Sequence, residues 1–327
     1  MIPKNWKDFL WADENKSELF HSLSQQVVLL PTGEGKVIYA TDGTGVLSTL
    51  ASQELGSLTP CSHEEADTRL FLHALDAVQK GYRKLCVRTV DTDVVVLAIS
   101  MFHRINAEEL WLAFGTSSSF RYIPIHEVVN EMDPRTCMAL PVFHSFTGCD
   151  TVSAFGGRSK KSAWNAWQVY PEVTDAFESL LLMEETSQTA MAALERFVVL
   201  LYDRTSDLLH VNDARKQLFT QKSRNLENIP PTYAALKEHV KRASYQAYCW
   251  NQALVPNSDI PNPADWGWKK YSSEWWPFWT TLSEASDNCY ELIHCGCKKG
   301  CRGRCKCVKA ALKCTALCSC GGDCVTN

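Results

Sequence analysis

Nine cysteines fall within thirty residues at the end of this chain, in the stretch CGCKKGCRGRCKCVKAALKCTALCSCGGDC from Cys295 to Cys324. Their spacing is C-x-C-x3-C-x3-C-x-C-x6-C-x3-C-x-C-x3-C, through Cys295, Cys297, Cys301, Cys305, Cys307, Cys314, Cys318, Cys320 and Cys324. Nine is odd, so a closed disulfide set leaves one thiol over. The C-x-C pairs are poorly placed to bridge within themselves, yet they can aim two thiolates at metal ions. The stretch holds too little apolar sequence for a core, so a metal must supply its folding free energy. The first residues, MIPKNWKDFLWADENKSELF, carry no apolar leader segment, and nothing points to secretion and a disulfide framework. The expected ligand set is therefore nine thiolates on tetrahedral zinc.

The charge divides the same way. The whole chain of 327 residues has a formal net charge of -4. Residues 295–327 hold seven Lys and Arg against Asp323 alone, a net +6, which leaves the rest at -10. A basic tail on an acidic body predicts a polyanion partner for the tail, although the lysines also offset thiolate charge. The longest apolar run, about Val94 to Met101, is far too short to span a membrane, so no membrane partner is expected.

The tail spacing strongly resembles the tesmin-like CXC domain, a module of nuclear proteins, over nearly all of residues 295–324. The resemblance implies three zinc ions, some thiolates bridging two metals, and a nuclear location. DNA-binding members insert a side chain, usually Tyr, from the x3 loop into the minor groove. Here Arg302 and Arg304 occupy that loop, and arginine also enters narrow minor grooves. A structural or protein-binding role, for instance with chromatin proteins, stands beside DNA binding.

In the body, residues 5–30 read as one or two amphipathic helices with Asn15 or Ser17 as cap, and KVIYATDGTGVLSTL as two short strands about a glycine turn. A helix is expected to open at Ser62 with a Ser62/Glu65 capping box and to end at Gly81. KLCVRT, ELWLAFG and FRYIPI read as strands, and DTDVVVLAISM as a turn followed by a strand-like run. Residues 36–150 thus alternate, predicting an α/β domain with a mainly parallel sheet over 1–165. A helical extension with a Trp-rich arm follows over 166–285, then the zinc module over 289–327. The five Trp of the arm are expected to pack against the helices. His63 and His144 read as structural hydrogen-bonding residues. The remaining cysteines (Cys61, Cys86, Cys137, Cys149, Cys249 and Cys289) read mostly as buried thiols, Cys289 doubling as an extra candidate ligand.

Three acidic clusters sit at element ends: Glu65 and Asp67 in SHEEAD, Asp91 and Asp93 in TVDTDVV, and Asp150 in FTGCD. In a parallel α/β sheet such loops converge at the carboxyl ends of the strands. Carboxylates gathered there would repel one another unless Mg²⁺ or Mn²⁺ lay between them, and two such ions suit phosphodiester hydrolysis. The turn after Asp150, with Arg158, Lys160 and Lys161, would suit a phosphate backbone. The order Glu65-Ala66-Asp67, Asp91-Thr92-Asp93 and Gly148-Cys149-Asp150 before Phe155-Gly156-Gly157 resembles the PIN-like domain of the flap endonuclease/XPG family over residues 62–165. The wording HEEADTR, DTDVVVLA and FHSFTGCDT also resembles transposon-derived animal proteins that join this block to a CXC tail. The resemblance implies a metal-dependent nuclease with Glu65, Asp67, Asp91, Asp93 and Asp150 as catalytic metal ligands. That family adds aspartates from an N-terminal strand and the strand after it. No apolar strand ending in Asp precedes residue 36 here, and Asp42 matches poorly. The expectation is an incomplete site, in a shortened or decayed copy. A non-enzymatic zinc and DNA- or chromatin-binding protein, or a protein-interaction module with structural zinc, are the competing readings.

Overall fold

The structure is a computed structural model that describes residues 3–50, 55–220, 228–282, 295–297, 301, 305–309, 313–314 and 318–321. It separates into two compact units, residues 1–278 and 279–327.

The first unit opens with α1 (Trp6–Phe9) and α2 (Asp13–Val27), then a hairpin of β1 (Tyr39–Asp42) and β2 (Gly45–Ser48). Asn5 caps α1 by accepting from the Lys7 and Asp8 amides, while Asn15 and Ser17 lie inside α2 and do not cap its start; Asn15 Nδ2 donates to the carbonyl of Phe9 at the end of α1, at 2.8 Å. Then follow α3 (Ala66–Gln79), β3 (Lys84–Thr89), α4 (Thr92–Ile105), β4 (Glu109–Phe114), β5 (Arg121–Pro124), α5 (Ile125–Glu131) and α6 (Pro134–Phe146). The sheet is mixed: β3 and β4 run parallel, joined by α4, and β5 turns back antiparallel on β4. It is a three-stranded α/β core, smaller and less parallel than the alternation suggests.

Two expectations of local structure are corrected. The segment DTDVVVLAISM is helical rather than strand-like. Asp91 is its N-cap, with its side chain accepting from the Asp93 amide at 2.8 Å. Val94, Leu97, Ala98 and Met101 then bury one face at helical spacing. The Ser62/Glu65 capping box does not form. Glu65 is itself the N-cap residue of α3, and the Ser62 amide donates to the carbonyl of Pro256.

The later part is helical, as expected: α7 (Lys160–Val169), α8 (Val173–Leu180), α9 (Gln188–Tyr202), α10 (Val211–Thr220) and α11 (Tyr233–Asn251). The unit ends in a hairpin, β6 (Trp268–Tyr271) and β7 (Glu274–Pro277), whose preceding turn packs on α11. Trp275 and Trp276 remain exposed on this hairpin, contrary to the expectation that the arm's tryptophans pack away.

Two apolar cores meet along α6 and α11. Phe146, Trp167, Phe177, Phe197 and Leu236 fill the helical one, and Phe71, Leu97, Met101, Leu110, Leu112 and Ile125 the one under the sheet. Each such side chain contributes about 1.5–3 kcal/mol on burial. Cys137 of α6 and Trp250 of α11 belong to the sheet core, while Phe146 and Val240 of the same helices belong to the helical core. These two helices therefore join the core under the sheet to the helical one.

His239 sits in this seam. Its Nε2 meets the carbonyl oxygen of Phe146 at 2.7 Å, and Phe146 and Phe155 flank its ring. Burial lowers it to about 4. The unfolded chain binds this proton near 6.5, so stability is full above that pH and falls as pH drops toward 4, by about 3 kcal/mol. Denaturant titrations across this window should show that loss, and His239→Gln should remove it.

Candidate functional site

Two clusters of ligating side chains stand out, one in each unit. The first gathers at the carboxyl end of β3. Asp91 and Asp93 follow that strand and open α4, Glu65 and Asp67 open α3, and Asp150 stands exposed in the turn after α6. Gly148 makes that turn possible. Its φ is +110°, and an added Cβ would lie 2.8 Å from the Cα of Ala154.

The electrostatics bind these carboxylates together. Burial, with the charges of Asp91, Glu65, Asp93 and Asp150 acting on it, raises Asp67 to about 6. Glu65 is raised chiefly by burial, with Asp93 adding to it, while hydrogen bonds from Trp250 and Gln246 oppose the rise. Trp250 Nε1 donates to one Glu65 oxygen at 3.1 Å and Gln246 Nε2 to the other at 3.4 Å. Gln246 in turn accepts from Thr151 Oγ1 at 2.7 Å. His144 Nε2 lies 2.8 Å from Asp93 Oδ1, so this histidine orients a carboxylate. A carboxylate held at one oxygen keeps the other available for a hard cation.

The basic residues after Asp150 divide. Lys160 turns inward and donates to the carbonyl of His144 at 2.7 Å, to Thr147 Oγ1 at 3.1 Å and to the carbonyl of Gly148, closing the carboxyl end of α6. Burial lowers its ammonium to about 8, against the pull of Cys149 and Asp93. Arg158 lies over the ring of Tyr202, 4.6 Å from its centroid, and Lys161 is exposed. Burial raises the Cys149 thiol, and its sulfur lies 3.4 Å from Thr151 Oγ1. Among the other body cysteines, Cys61 and Cys137 are buried and Cys86 is exposed, against the expectation of burial. His144, Gln246 and Trp250 support the cluster from α6 and α11, 51 to 185 positions from the carboxylates they hold. No local pattern marks them.

The second cluster is of cysteine sulfurs. Cys295, Cys301, Cys305 and Cys314 place their sulfurs within 4.8 Å of one another, as do Cys295, Cys307, Cys314 and Cys318. Neighbouring sulfurs in this cluster lie 3.4–3.8 Å apart, for example Cys295 to Cys314 at 3.8 Å and Cys307 to Cys318 at 3.7 Å. A disulfide would hold them at about 2.05 Å. A tetrahedron of sulfurs with bonds of about 2.3 Å to a central zinc has edges of about 3.8 Å. The sulfurs thus fit the chemistry of zinc, and Cys295 and Cys314 belong to both sets. Cys297 and Cys320 pack against them. Cys305 is lowered to about 6, first by a hydrogen bond from the Val308 backbone, while burial pushes Cys297 and Cys307 up to about 11, so a metal would have to displace protons from part of the cluster. Cys324, Arg302, Arg304 and Cys289 lie outside the described residues.

Among the described residues, no helix is long and apolar enough to cross a membrane. Comparison with protein-family models, with curated proteins and with solved structures returns no match.

Proposed function

We propose that the chain is a metal-dependent nucleic-acid phosphodiesterase of the PIN/flap-endonuclease kind, carrying a zinc-binding, DNA-binding CXC tail. The observation that carries this reading is the raised carboxyl of Asp67, surrounded by Glu65, Asp91, Asp93 and Asp150 at the end of a parallel strand. Burial first, and then four neighbouring carboxylates, disfavour its charge, and divalent cations at such a place would relieve it. Glu65, Asp67, Asp91, Asp93 and Asp150 would hold Mg²⁺ or Mn²⁺, which supply an activated water and stabilise the leaving oxygen when bound. His144 fixes Asp93, and the Trp250 and Gln246 pair fixes Glu65. Arg158 and Lys161 would meet the phosphate backbone, while Lys160 holds the turn that carries Asp150. In the tail, nine cysteines would hold three zinc ions, with Cys295 and Cys314 as the bridging ligands. Arg302 and Arg304 would meet DNA, and the location would be nuclear.

The test is incubation of the zinc-loaded chain with flapped and single-stranded DNA in Mg²⁺ or Mn²⁺. Cleavage is expected, and Asp93→Asn with Asp150→Asn should abolish it. Cleavage surviving in the double variant would mean that these carboxylates are not the site.

A second reading, a non-enzymatic zinc and DNA- or chromatin-binding protein on a nuclease-like scaffold, draws on Asp42. This residue pairs with His21 Nδ1 at 2.5 Å. Among the described residues before β1, the regular elements are the helices α1 and α2, with no strand. Tight DNA binding without cleavage is the result this reading expects.

A further inference from the structure

Beside the carboxylates lies a cleft of about 600 Å³, a volume that suits a small planar ligand. Its walls come from three elements: the start of α3 with His63, Glu64 and Glu65, α11 with Tyr245, and the Trp-rich hairpin with Trp268 and Trp275. Glu65 belongs both to this wall and to the acidic cluster, so the cleft and the proposed metal site share an edge.

The wall chemistry is selective. Three aromatic rings offer flat apolar faces. His63 Nε2 meets the carbonyl oxygen of Val255 at 2.7 Å, which fixes its ring in the wall. Glu64 adds an exposed carboxylate acceptor. Two carboxylates and no lysine or arginine line the cleft, so a phosphate is unwelcome inside it while a neutral ring is not. Lys270, with its ammonium 5.7 Å from the centroid of the Trp275 ring, brings positive charge to the hairpin wall.

We propose that this cleft binds one unpaired nucleobase of a single-stranded nucleic acid, leaving the adjoining phosphate outside, at the carboxylates. The ring stacks on the hairpin tryptophan, and Glu64 accepts from an exocyclic amino group. Cytosine and adenine carry that donor beside a ring acceptor, and thymine does not. The substrate class this gives the phosphodiesterase is therefore a strand with an unpaired, amino-bearing base. The inference rests on the nuclease reading only for the role of the phosphate, since base capture stands without cleavage.

The test uses the full, zinc-loaded chain with no Mg²⁺ or Mn²⁺ added, and fluorescence anisotropy of labelled six-nucleotide single strands. Oligo-dC is compared with oligo-dT and with an abasic strand of the same charge. Any contribution of the basic tail to backbone binding is equal for all three and drops out of the ratio. Oligo-dC should bind about tenfold tighter than the abasic strand, the effect of one stacked base, with oligo-dT in between. Trp275→Ala should erase the ratio, and Trp275→Phe, which keeps a stacking ring, should retain most of it. Trp276→Ala, on the same strand but outside the cleft, should leave it unchanged. Equal binding of the abasic and dC strands overturns the proposal, as does a ratio that survives Trp275→Ala. So does competition by tetramethylammonium in place of nucleotides, which would make the cleft an aromatic cage for cations. Failure of DNA cleavage with the ratio intact sinks the nuclease and leaves the cleft standing.

Discussion

Cys295→Ser should strip the tail of metal more completely than any other single thiol replacement outside Cys314. Cys295 belongs to both four-sulfur groups, and its sulfur lies 3.5 Å from Cys301 and 3.8 Å from Cys314 and Cys320. Losing one of four ligands from one zinc is a local injury, whereas losing a shared ligand injures two sites at once. Structural zinc contributes about 10–16 kcal/mol of apparent binding free energy in small modules at neutral pH, and the tail's sequence holds few apolar residues to replace it. Among the described residues of this unit, the buried cluster consists of Cys295, Cys305, Cys307 and Cys318. Metal content by mass spectrometry under native conditions should fall by more than one zinc in Cys295→Ser and by one or less in Cys320→Ser. Melting of residues 1–278 should be unchanged in both variants, because their cores are made of other side chains. Equal losses in the two variants would mean that Cys295 is not shared.

The contrast between tail and body explains how much could be read without coordinates. Metal chemistry writes itself into local spacing, so the cysteines were legible at once. The hairpin of β1 and β2 and the helices after Lys160 were legible for a related reason, since turn residues and helical periodicity are local. The segment after β3 was not. Its Val94-Val95-Val96 run has strand composition, yet Val94, Leu97, Ala98 and Met101 keep helical spacing and Asp91 caps the turn. Spacing and capping outweighed composition there. The capping role of Glu65 was misread for the opposite reason. Its local pattern suggests a capping box, but the indole of Trp250 and the amide of Gln246 hold its carboxylate from 185 and 181 positions away. The carboxylates themselves could be picked out as residue types at element ends. Their convergence, the orienting role of His144 and the aromatic cleft beside Glu65 depend on how α6, α11 and the Trp-rich hairpin meet.

Asp67→Asn should make the body more stable and the proposed site inert. The sign follows from the raised carboxyl. In the unfolded chain Asp67 ionises near 3.8, but in the fold it resists ionisation up to about 6. The folded state is therefore favoured when Asp67 is protonated, and stability is lost as pH rises from about 3.8 through 6. Above that window the cost is constant, and a neutral amide of the same shape removes it. Because the side chain is partly open to water, screening reduces the gain to about 1–2 kcal/mol at neutral pH. This pH dependence runs opposite to that of His239 over the same range, so each is best isolated by comparing its variant with the parent chain. Mn²⁺ provides the decisive arm. In the parent chain, cations settling among Glu65, Asp67, Asp91, Asp93 and Asp150 should offset the same cost of ionising a buried, crowded carboxylate and raise the melting temperature. In Asp67→Asn the starting temperature should already be higher, the Mn²⁺ increment smaller and cleavage lost. A variant that is destabilised, or that keeps the full Mn²⁺ increment, would show that Asp67 is a structural carboxylate and that the cations, if bound, sit elsewhere.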